Sequence, residues 1–284
     1  MRISATSATL AAFCTCIALA QGPRLTSIYV DLPESRCQAS DGLMLKVDEA
    51  PVPIARATPG PHPVSAVLLF DTSPSMLAQP IDAIARRMSL AAQPSDRFVL
   101  GTFSPKVVFS KTALTSQDAA SRAAREVGQK QIGQGGPSPL WDALYESASM
   151  QASTGIPAVV VFTDALATGN DRGYADAYDQ AMRAGAAVVV VGVGDDALPT
   201  YSTMHAAGRN DALRKLADDT AGFYTELTRA NRAPPYSYLI ESLRNIRHRC
   251  RLDVDLSSGW NAAHRLSLTS AGQPVRAPVR APSR

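Results

Sequence analysis

The chain has 284 residues, of which 45% are hydrophobic and 19% are charged, and its formal net charge is +3. This length allows one sizeable hydrophobic core with small additions, and the composition excludes a chain that is disordered over most of its length. From Arg229 to the C-terminus, ten arginines stand against three acidic residues. Such a basic end can associate with an anionic cell envelope, or it can be a solvated surface. We expect no nucleic-acid partner.

Residues 1–20 have the features of a secretory signal peptide. Arg2 precedes a weakly apolar stretch from Ala5 to Leu19, and small residues stand before Gln21, where cleavage is expected. No later segment of the sequence is long and apolar enough to cross a bilayer. The sequence therefore predicts an exported protein, either periplasmic or extracellular.

The cysteines fit an oxidising compartment. Cleavage after the signal peptide would remove Cys14 and Cys16 and leave Cys37 and Cys250. Two cysteines in an exported protein often form a disulfide, which here would join the two ends of the chain. We predict that disulfide and keep two independent buried thiols as the alternative.

Both ends of the chain are predicted to be small β-rich additions. Residues 21–63 contain two alternating stretches that predict strands, and the prolines that follow favour a stiff linker. Residues 231–272 contain a helical pattern and two short strand patterns, and residues 273–284 predict a disordered tail. The predicted elements are strands 27–32 and 43–47, helix 236–249, and strands 251–256 and 265–269.

The central part, residues 64–230, alternates strand and helix patterns. Several of its strands are continuous apolar runs, which is typical of strands that are covered on both faces. This order predicts a doubly wound α/β fold with a mainly parallel sheet, and such sheets bind ligands beyond the carboxyl ends of their strands. The predicted strands are 67–70, 98–103, 107–109, 158–162 and 187–193, and the predicted helices are 76–92, 116–128, 140–152, 172–184 and 211–220.

A group of oxygen-bearing side chains stands where the first of these strands ends. Asp71 follows the apolar run, and Ser73 and Ser75 follow Asp71 at alternate positions. Carboxylate and hydroxyl oxygens are hard ligands, which suit Mg²⁺, Mn²⁺ or Ca²⁺ better than zinc. We therefore take these three residues as the centre of a metal site, with Mg²⁺ as the first choice.

Two further residues are expected at the same edge of the sheet. Ser138 ends a glycine-rich loop and can either cap the helix that follows or turn its hydroxyl towards the metal. Asp164 follows the apolar run 159–162, which places a second carboxylate at a strand end. The predicted metal ligands are Asp71, Ser73, Ser75, Ser138 and Asp164.

With these residues in place, the chain resembles a von Willebrand factor type A (VWA) domain. The Asp-x-Ser-x-Ser motif of the family's metal-ion-dependent adhesion site matches Asp71, Ser73 and Ser75, the loop threonine corresponds to Ser138, and the later aspartate corresponds to Asp164. The resemblance covers roughly residues 64–227. The flanking segments are also similar to exported bacterial proteins described as acidobacterial VWFA-related. There are two departures: Pro74 stands where the motif often has glycine, and serine replaces the loop threonine between two prolines.

The resemblance implies a function in protein binding. In the family, the two motif serines hold the cation directly, the loop residue does so in at least one state, and the aspartates act directly or through water. A glutamate or aspartate from a protein partner then fills the open coordination position. The resemblance thus implies an adhesion module, and the alternative is a cell-envelope scaffold subunit whose metal site is structural or vestigial.

Enzyme functions have less support in the sequence. There is no Gly-x-Ser-x-Gly elbow around Ser73, and the four histidines show no zinc-binding spacing. His205 lies in a small-residue loop and is expected to be an exposed residue, while Asp195 and Asp196 follow the last strong strand and are expected in a turn near the rim of the site. We expect a binding protein and not an enzyme.

Overall fold

A computed structural model describes residues 25–39, 42–76, 81–128, 135–151, 154–193, 209–227, 235–255, 265–275 and 277–278. The strands are β1 Leu25–Val30, β2 Leu43–Val47, β3 Ala50–Val52, β4 Ile54–Thr58, β5 Val64–Asp71, β6 Arg97–Phe103, β7 Val107–Phe109, β8 Ile156–Thr163, β9 Ala187–Val193, β10 Phe223–Leu227, β11 Cys250–Asp255, β12 Leu266–Ser270 and β13 Gln273–Pro274. The helices are α1 Glu34–Gln38, α2 Ile81–Ala91, α3 Gln117–Gly128, α4 Leu140–Ser149, α5 Tyr174–Ala184, α6 Arg209–Asp219 and α7 Pro235–Arg247, and a 3-10 turn covers Pro74–Met76.

The central sheet has six strands in the order β10-β9-β8-β5-β6-β7. Neighbouring strands are parallel except at the edge, where β7 runs antiparallel to β6. Every residue of β5 and of β9 is buried, which explains why these strands contain the continuous apolar runs 66–70 and 187–191 without alternation. The predicted doubly wound α/β fold is confirmed.

Helices cover both faces of this sheet. Apolar residues of α2, α3 and α7 form one core with the strands, and those of α4, α5 and α6 form the other. Residues such as Ile84 and Met88 of α2 lie four apart and are fully buried, as expected for the apolar stripe of a helix that packs on a sheet.

The strand order places a crevice at the end of β5. This strand pairs with β6 on one side and with β8 on the other, so the chain leaves β5 in one direction and later returns to its opposite side. Ligands bind to open α/β sheets at such a point, outside the carboxyl ends of the strands. Asp71 and Thr163 are the last residues of the two central strands that meet there.

The two ends of the chain form one unit. β1 and β4 both pair with β11 in a three-stranded antiparallel sheet, and β12 pairs with β2 in a four-stranded sheet. Both sheets contribute to a single hydrophobic core. A disulfide joins Cys37 to Cys250, with their Cα atoms 5.7 Å apart. The structure thus has the predicted disulfide and not the alternative of two independent buried thiols.

Some predicted boundaries need correction. Helix α7 buries Leu239, Leu243 and Ile246 in the core of the central sheet, although the sequence placed it in the C-terminal addition. Short strands β3 and β4 occupy part of the predicted linker, because β3 is an edge strand, where prolines are tolerated. Strand β13 and the packing of Val275 and Ala277 extend ordered structure into the predicted tail. The predicted signal peptide lies outside the described residues.

Part of the basic C-terminal region is used inside the molecule. Arg247 forms a buried ion pair with Asp96, whose carboxylate also accepts hydrogen bonds from Val64 N and Gln93 N, each at 2.8 Å. The Arg249 guanidinium donates to the Ala221 carbonyl. These two contacts connect the end of α7 to the residues just before β6 and β10. Within the described ranges, no helix is long and apolar enough to span a membrane.

Candidate metal site

Asp71 is the centre of the candidate site. Its side chain is fully buried and accepts hydrogen bonds on both oxygens. Ser73 N and the Ser138 hydroxyl donate to Oδ1 at 2.9 and 3.2 Å, and the Thr163 hydroxyl donates to Oδ2 at 2.8 Å. Because both oxygens are held, the carboxylate has a defined orientation at the edge of the sheet.

Ser73 and Ser75 follow Asp71 in a tight turn. Their hydroxyl oxygens lie 3.0 Å apart, and the Ser73 carbonyl accepts a hydrogen bond from Met76 N at 2.8 Å. The 3-10 turn begins at Pro74, and the fixed φ and missing N–H of proline suit the first position of a helical turn. The turn is therefore compatible with proline at the position where the family motif often has glycine.

Ser138 comes to the site from the glycine-rich loop. Its hydroxyl donates to Asp71, and it does not cap α4, whose N-cap residue is Pro139. Gly136 has a φ of 125°, and a Cβ at that position would lie 2.7 Å from Cβ of Pro105. Glycine thus allows the loop to approach closely enough to deliver Ser138 to Asp71.

Asp164 is the second carboxylate and lies directly after β8. Its side chain is buried, and Oδ1 accepts a hydrogen bond from Leu166 N at 3.0 Å. Oδ2 is also buried but has no hydrogen-bond partner among the residues that the structure describes. A buried carboxylate oxygen without a donor is costly, and a cation bound between Asp71 and Asp164 would satisfy it.

Thr163 was not among the site residues predicted from the sequence. Phe70 pairs with Phe162 in the sheet, so Asp71 and Thr163 occupy the next positions on adjacent parallel strands. The Thr163 hydroxyl donates to Asp71 and accepts a hydrogen bond from Ala165 N at 3.0 Å. A threonine immediately before the strand-end aspartate is a signal that the sequence does contain.

The two buried carboxylates of the site, Asp71 and Asp164, favour a positive charge between them. Burial, and after it the neighbouring Asp164, raises the pKa of Asp71 to about 7, against the hydrogen bonds from Ser73 and Thr163, which lower it. Two carboxylates that share one buried place repel each other when both are ionised. A divalent cation is the natural counter-charge, because it stabilises both ionised groups.

The donor set decides which metals fit. Carboxylate and hydroxyl oxygens suit a hard divalent cation such as Mg²⁺, Mn²⁺ or Ca²⁺. Across the part of the chain that the structure describes, no group of three His, Cys, Asp or Glu side chains is arranged to hold a metal ion. A complete ligand set at this edge therefore needs the serine hydroxyls in addition to the two aspartates.

In the presence of a chelator, stability should fall as the pH rises from 5 to 8. Asp71 has a pKa of about 7 in the folded chain against an ordinary value of 3.8, so the folded state holds a proton that the unfolded state has released. The stability from this proton is fully present below about pH 4 and is lost as the pH rises through 7, at up to ~1.4 kcal/mol per pH unit.

Urea unfolding at pH 5, 6, 7 and 8 with EDTA measures this effect, and Asp71→Asn is the comparison. The difference in unfolding free energy between the two proteins should change with pH in the stated direction, because only the wild type titrates at residue 71. A difference that stays constant over this range would contradict the assignment.

Three other residues considered in the sequence analysis, Asp195, Asp196 and His205, lie outside the described residues. All five predicted metal ligands are described. Hydrogen bonds link Ser73 and Ser138 directly to Asp71, and link Ser75 to Ser73. Asp164 belongs to the same group through its effect on Asp71.

Comparison with known proteins finds similarity at the level of structure. No protein-family model and no curated protein matches the sequence. The protein BatB from Bacteroides thetaiotaomicron is 19% identical, with 64% of this chain and 98% of that chain covered and a TM-score of 0.47. Manganese-loaded TRAP from Plasmodium vivax is 13% identical, with 77% and 97% covered and a TM-score of 0.46. A von Willebrand factor type A protein from Catenulispora acidiphila is 14% identical, with 91% and 75% covered and a TM-score of 0.46.

At these identities and TM-scores, the similarity by itself assigns no function to this chain. The conclusions drawn below rest on its strand order and on the geometry of its site. The mainly parallel sheet places Asp71 and Asp164 at the carboxyl ends of its two central strands. The serines of the Asp-x-Ser-x-Ser motif and of the glycine-rich loop lie against Asp71. The arrangement of these residues agrees with the motif on which the resemblance to a von Willebrand factor type A domain rests.

Proposed function

We propose that this chain is an exported, metal-dependent protein-binding module of the adhesion type, which recognises an acidic group of a partner through a divalent cation. One observation carries the proposal. Two buried carboxylates, Asp71 and Asp164, meet at the switch point of the sheet, and one oxygen of Asp164 has no donor among the described residues. The hydroxyls of the motif serines complete a set of hard oxygen ligands beside them.

The chemistry of these ligands favours recognition of a carboxylate. Ser73, Ser75 and Ser138 would hold the cation through neutral hydroxyls, with Asp71 and Asp164 binding directly or through water. A cation with mostly neutral ligands keeps much of its charge and would attract a further anionic ligand from outside the protein. A glutamate or aspartate side chain of a partner meets this requirement. Mg²⁺ is our first choice, and Mn²⁺ and Ca²⁺ have the same ligand preferences.

We propose binding, and not catalysis, as the role of this site. The hydroxyl of Ser73 lies beside another hydroxyl, that of Ser75, and Asp71 accepts hydrogen bonds from a backbone N–H and two hydroxyls. A nucleophilic serine needs a general base such as histidine in hydrogen-bonding reach. Among the contacts described for these residues, histidine and lysine are absent.

Export is part of the proposal. The disulfide between Cys37 and Cys250 is of the kind that forms in the periplasm or outside the cell. It ties together the unit that the two chain ends build, and this unit would support the binding module. The runner-up function is a scaffold subunit of the cell envelope in which the metal site is vestigial, and the experiment below separates the two.

Capture of partners from a cell-envelope extract should depend on the cation and on acidic groups. Immobilised wild type with Mg²⁺ should retain a set of proteins that is lost with EDTA and with Asp71→Ala. The same set should be lost after the carboxyl groups of the extract have been amidated with carbodiimide and ethanolamine. Asp118→Asn, which removes an exposed carboxylate on α3, is the matched control and should capture as the wild type does.

The outcomes decide between the two functions. If the captured set is unchanged by EDTA, recognition does not pass through the cation and the scaffold function is favoured. If EDTA releases the set but amidation has no effect, the cation is needed and the proposed acidic ligand is wrong.

A further inference from the structure

The hydroxyls of two threonines form hydrogen bonds with proposed ligands of the metal but are not ligands themselves. The first is that of Thr163, which is fully buried at the end of β8. It donates to Asp71 Oδ2 at 2.8 Å and accepts from Ala165 N at 3.0 Å. The single proton of the Thr163 hydroxyl is therefore used in the hydrogen bond to Asp71, because the hydroxyl oxygen acts only as an acceptor in the bond with Ala165 N.

This bond fixes which face of the Asp71 carboxylate is available. Oδ2 is held by Thr163 from the side of β8, while Oδ1 is turned towards Ser73 and Ser138. A carboxylate that accepts a hydrogen bond on one oxygen cannot rotate freely about its Cβ–Cγ bond without losing it. Thr163 thereby directs Oδ1 towards the serines, where a cation would bind.

The second hydroxyl belongs to Thr168, an exposed residue in the loop after β8. Its Oγ1 accepts a hydrogen bond from Ser138 N at 2.8 Å, and its own N–H donates to the Ser138 carbonyl at 2.8 Å. Ser138 is thus held through both of its backbone groups by one residue. Gly169 has a φ of 64° and lies so close to Pro137 that a Cβ would be 2.4 Å from Cβ of that proline.

Two more contacts hold the same pair of loops together. Trp141 N donates to the Asn170 side chain at 2.8 Å. The buried carboxylate of Asp142 accepts hydrogen bonds from the backbone N–H groups of Asp171 and Arg172, at 2.8 and 2.9 Å. The loop after β8 is therefore hydrogen-bonded at several points to the start of α4 and to Ser138 just before it. Of the residues held in this way, Ser138 is the one that contacts Asp71.

We propose that Thr163 and Thr168 are positioning residues for the cation: the Thr163 hydroxyl orients Asp71, and the Thr168 hydroxyl places Ser138. The inference rests on the proposed function, since it assumes that a cation binds at these ligands. It goes beyond the five motif residues, because neither threonine is a ligand.

Isosteric and conservative variants test the proposal. Thr163→Val removes the hydroxyl and keeps the shape, and it should weaken Mn²⁺ binding about 10-fold or more, the usual effect of losing a group that orients a metal ligand. Thr163→Ser keeps a hydroxyl and should bind within about 3-fold of wild type. Thr168→Val should weaken binding about 5-fold, as for loss of one neutral hydrogen bond, and Thr168→Ser should restore it.

Thr102→Val is the matched control, because Thr102 is buried on the adjacent strand β6 and its hydroxyl donates to the Val127 carbonyl. This variant should bind Mn²⁺ as tightly as the wild type does. All affinities are measured by calorimetry at a temperature where circular dichroism shows each variant folded, so a general loss of stability does not change the readout.

The outcomes separate this inference from the function on which it rests. Wild type that binds, with Thr163→Val binding equally well, overturns the inference and leaves the metal site standing. Equal weakening by Thr163→Val and Thr163→Ser also overturns it, because the hydroxyl would not be the cause. A wild type that binds no cation overturns the proposed function and this inference with it.

Discussion

Replacing Cys37 and Cys250 together with alanine should lower the free energy of unfolding by about 4 to 5 kcal/mol. The disulfide joins residues 213 positions apart, and a cross-link across so long a segment removes much of the conformational freedom of the unfolded chain. Both cysteines belong to the core that the chain ends share, so the loss should be greatest in that unit. Urea unfolding under non-reducing conditions measures the effect.

Cation binding should be unaffected by the same substitution when the chain is folded. Cys250 follows the end of α7, and the neighbouring Arg249 contacts Ala221 just before the amino end of β10, whereas the site lies at the carboxyl ends of β5 and β8. Peptide mapping under non-reducing conditions provides the control, since it shows directly whether Cys37 and Cys250 are linked. If the double variant and the wild type unfold at the same urea concentration, the disulfide does not stabilise the fold as we propose.

Asp71→Asn should weaken the binding of Mg²⁺ and Mn²⁺ by at least about 100-fold, or ~2.7 kcal/mol. The change removes one of the two negative charges at the site while it keeps the size of the side chain. It also introduces an amide N–H₂ group, which cannot accept the hydrogen bonds that now reach both Asp71 oxygens. Calorimetric titration at pH 8, where Asp71 is ionised, measures the difference from wild type.

The control for this experiment is Asp118→Asn, which removes an exposed carboxylate on α3 and should bind both cations as tightly as the wild type does. Binding by Asp71→Asn within about 3-fold of wild type would place the cation elsewhere in the protein.

The central sheet could be predicted because its strands carry their own signal. A strand covered on both faces is apolar throughout, and the fully buried β9 has the residues that were predicted from the sequence. Strand β10 was missed because only its last residue is buried, so no apolar run marks it. Helix α1 was missed because it has five residues, too few to show a helical period.

The union of the two chain ends could not be predicted from local patterns. Leu25 pairs with Asp255 across nearly the whole chain, and nothing in either segment specifies the other as its partner. The two cysteines were the only sequence feature that pointed to contact between the ends. Proline content misled the analysis for residues 50–58, because an edge strand tolerates prolines that a central strand does not.

The candidate site was predicted more completely, because strand ends at a topological switch point converge for geometric reasons. Asp71 and Asp164 were expected at one edge on that ground alone. The hydroxyl of Ser138 had two alternatives, capping and the metal site, and only the loop geometry around Gly136 decides between them. Thr163 and Thr168 were missed because a positioning residue is recognised by its contacts and not by its ligand chemistry.

Calorimetric titration of Mn²⁺ and of Mg²⁺ into the wild type and into Asp71→Ala tests the central claim most directly. The structure predicts one saturable binding event per chain in the wild type and no measurable binding in the variant. Equal and negligible heats in the two proteins, or equal binding by both, would contradict a metal site built on Asp71, Ser73, Ser75, Ser138 and Asp164.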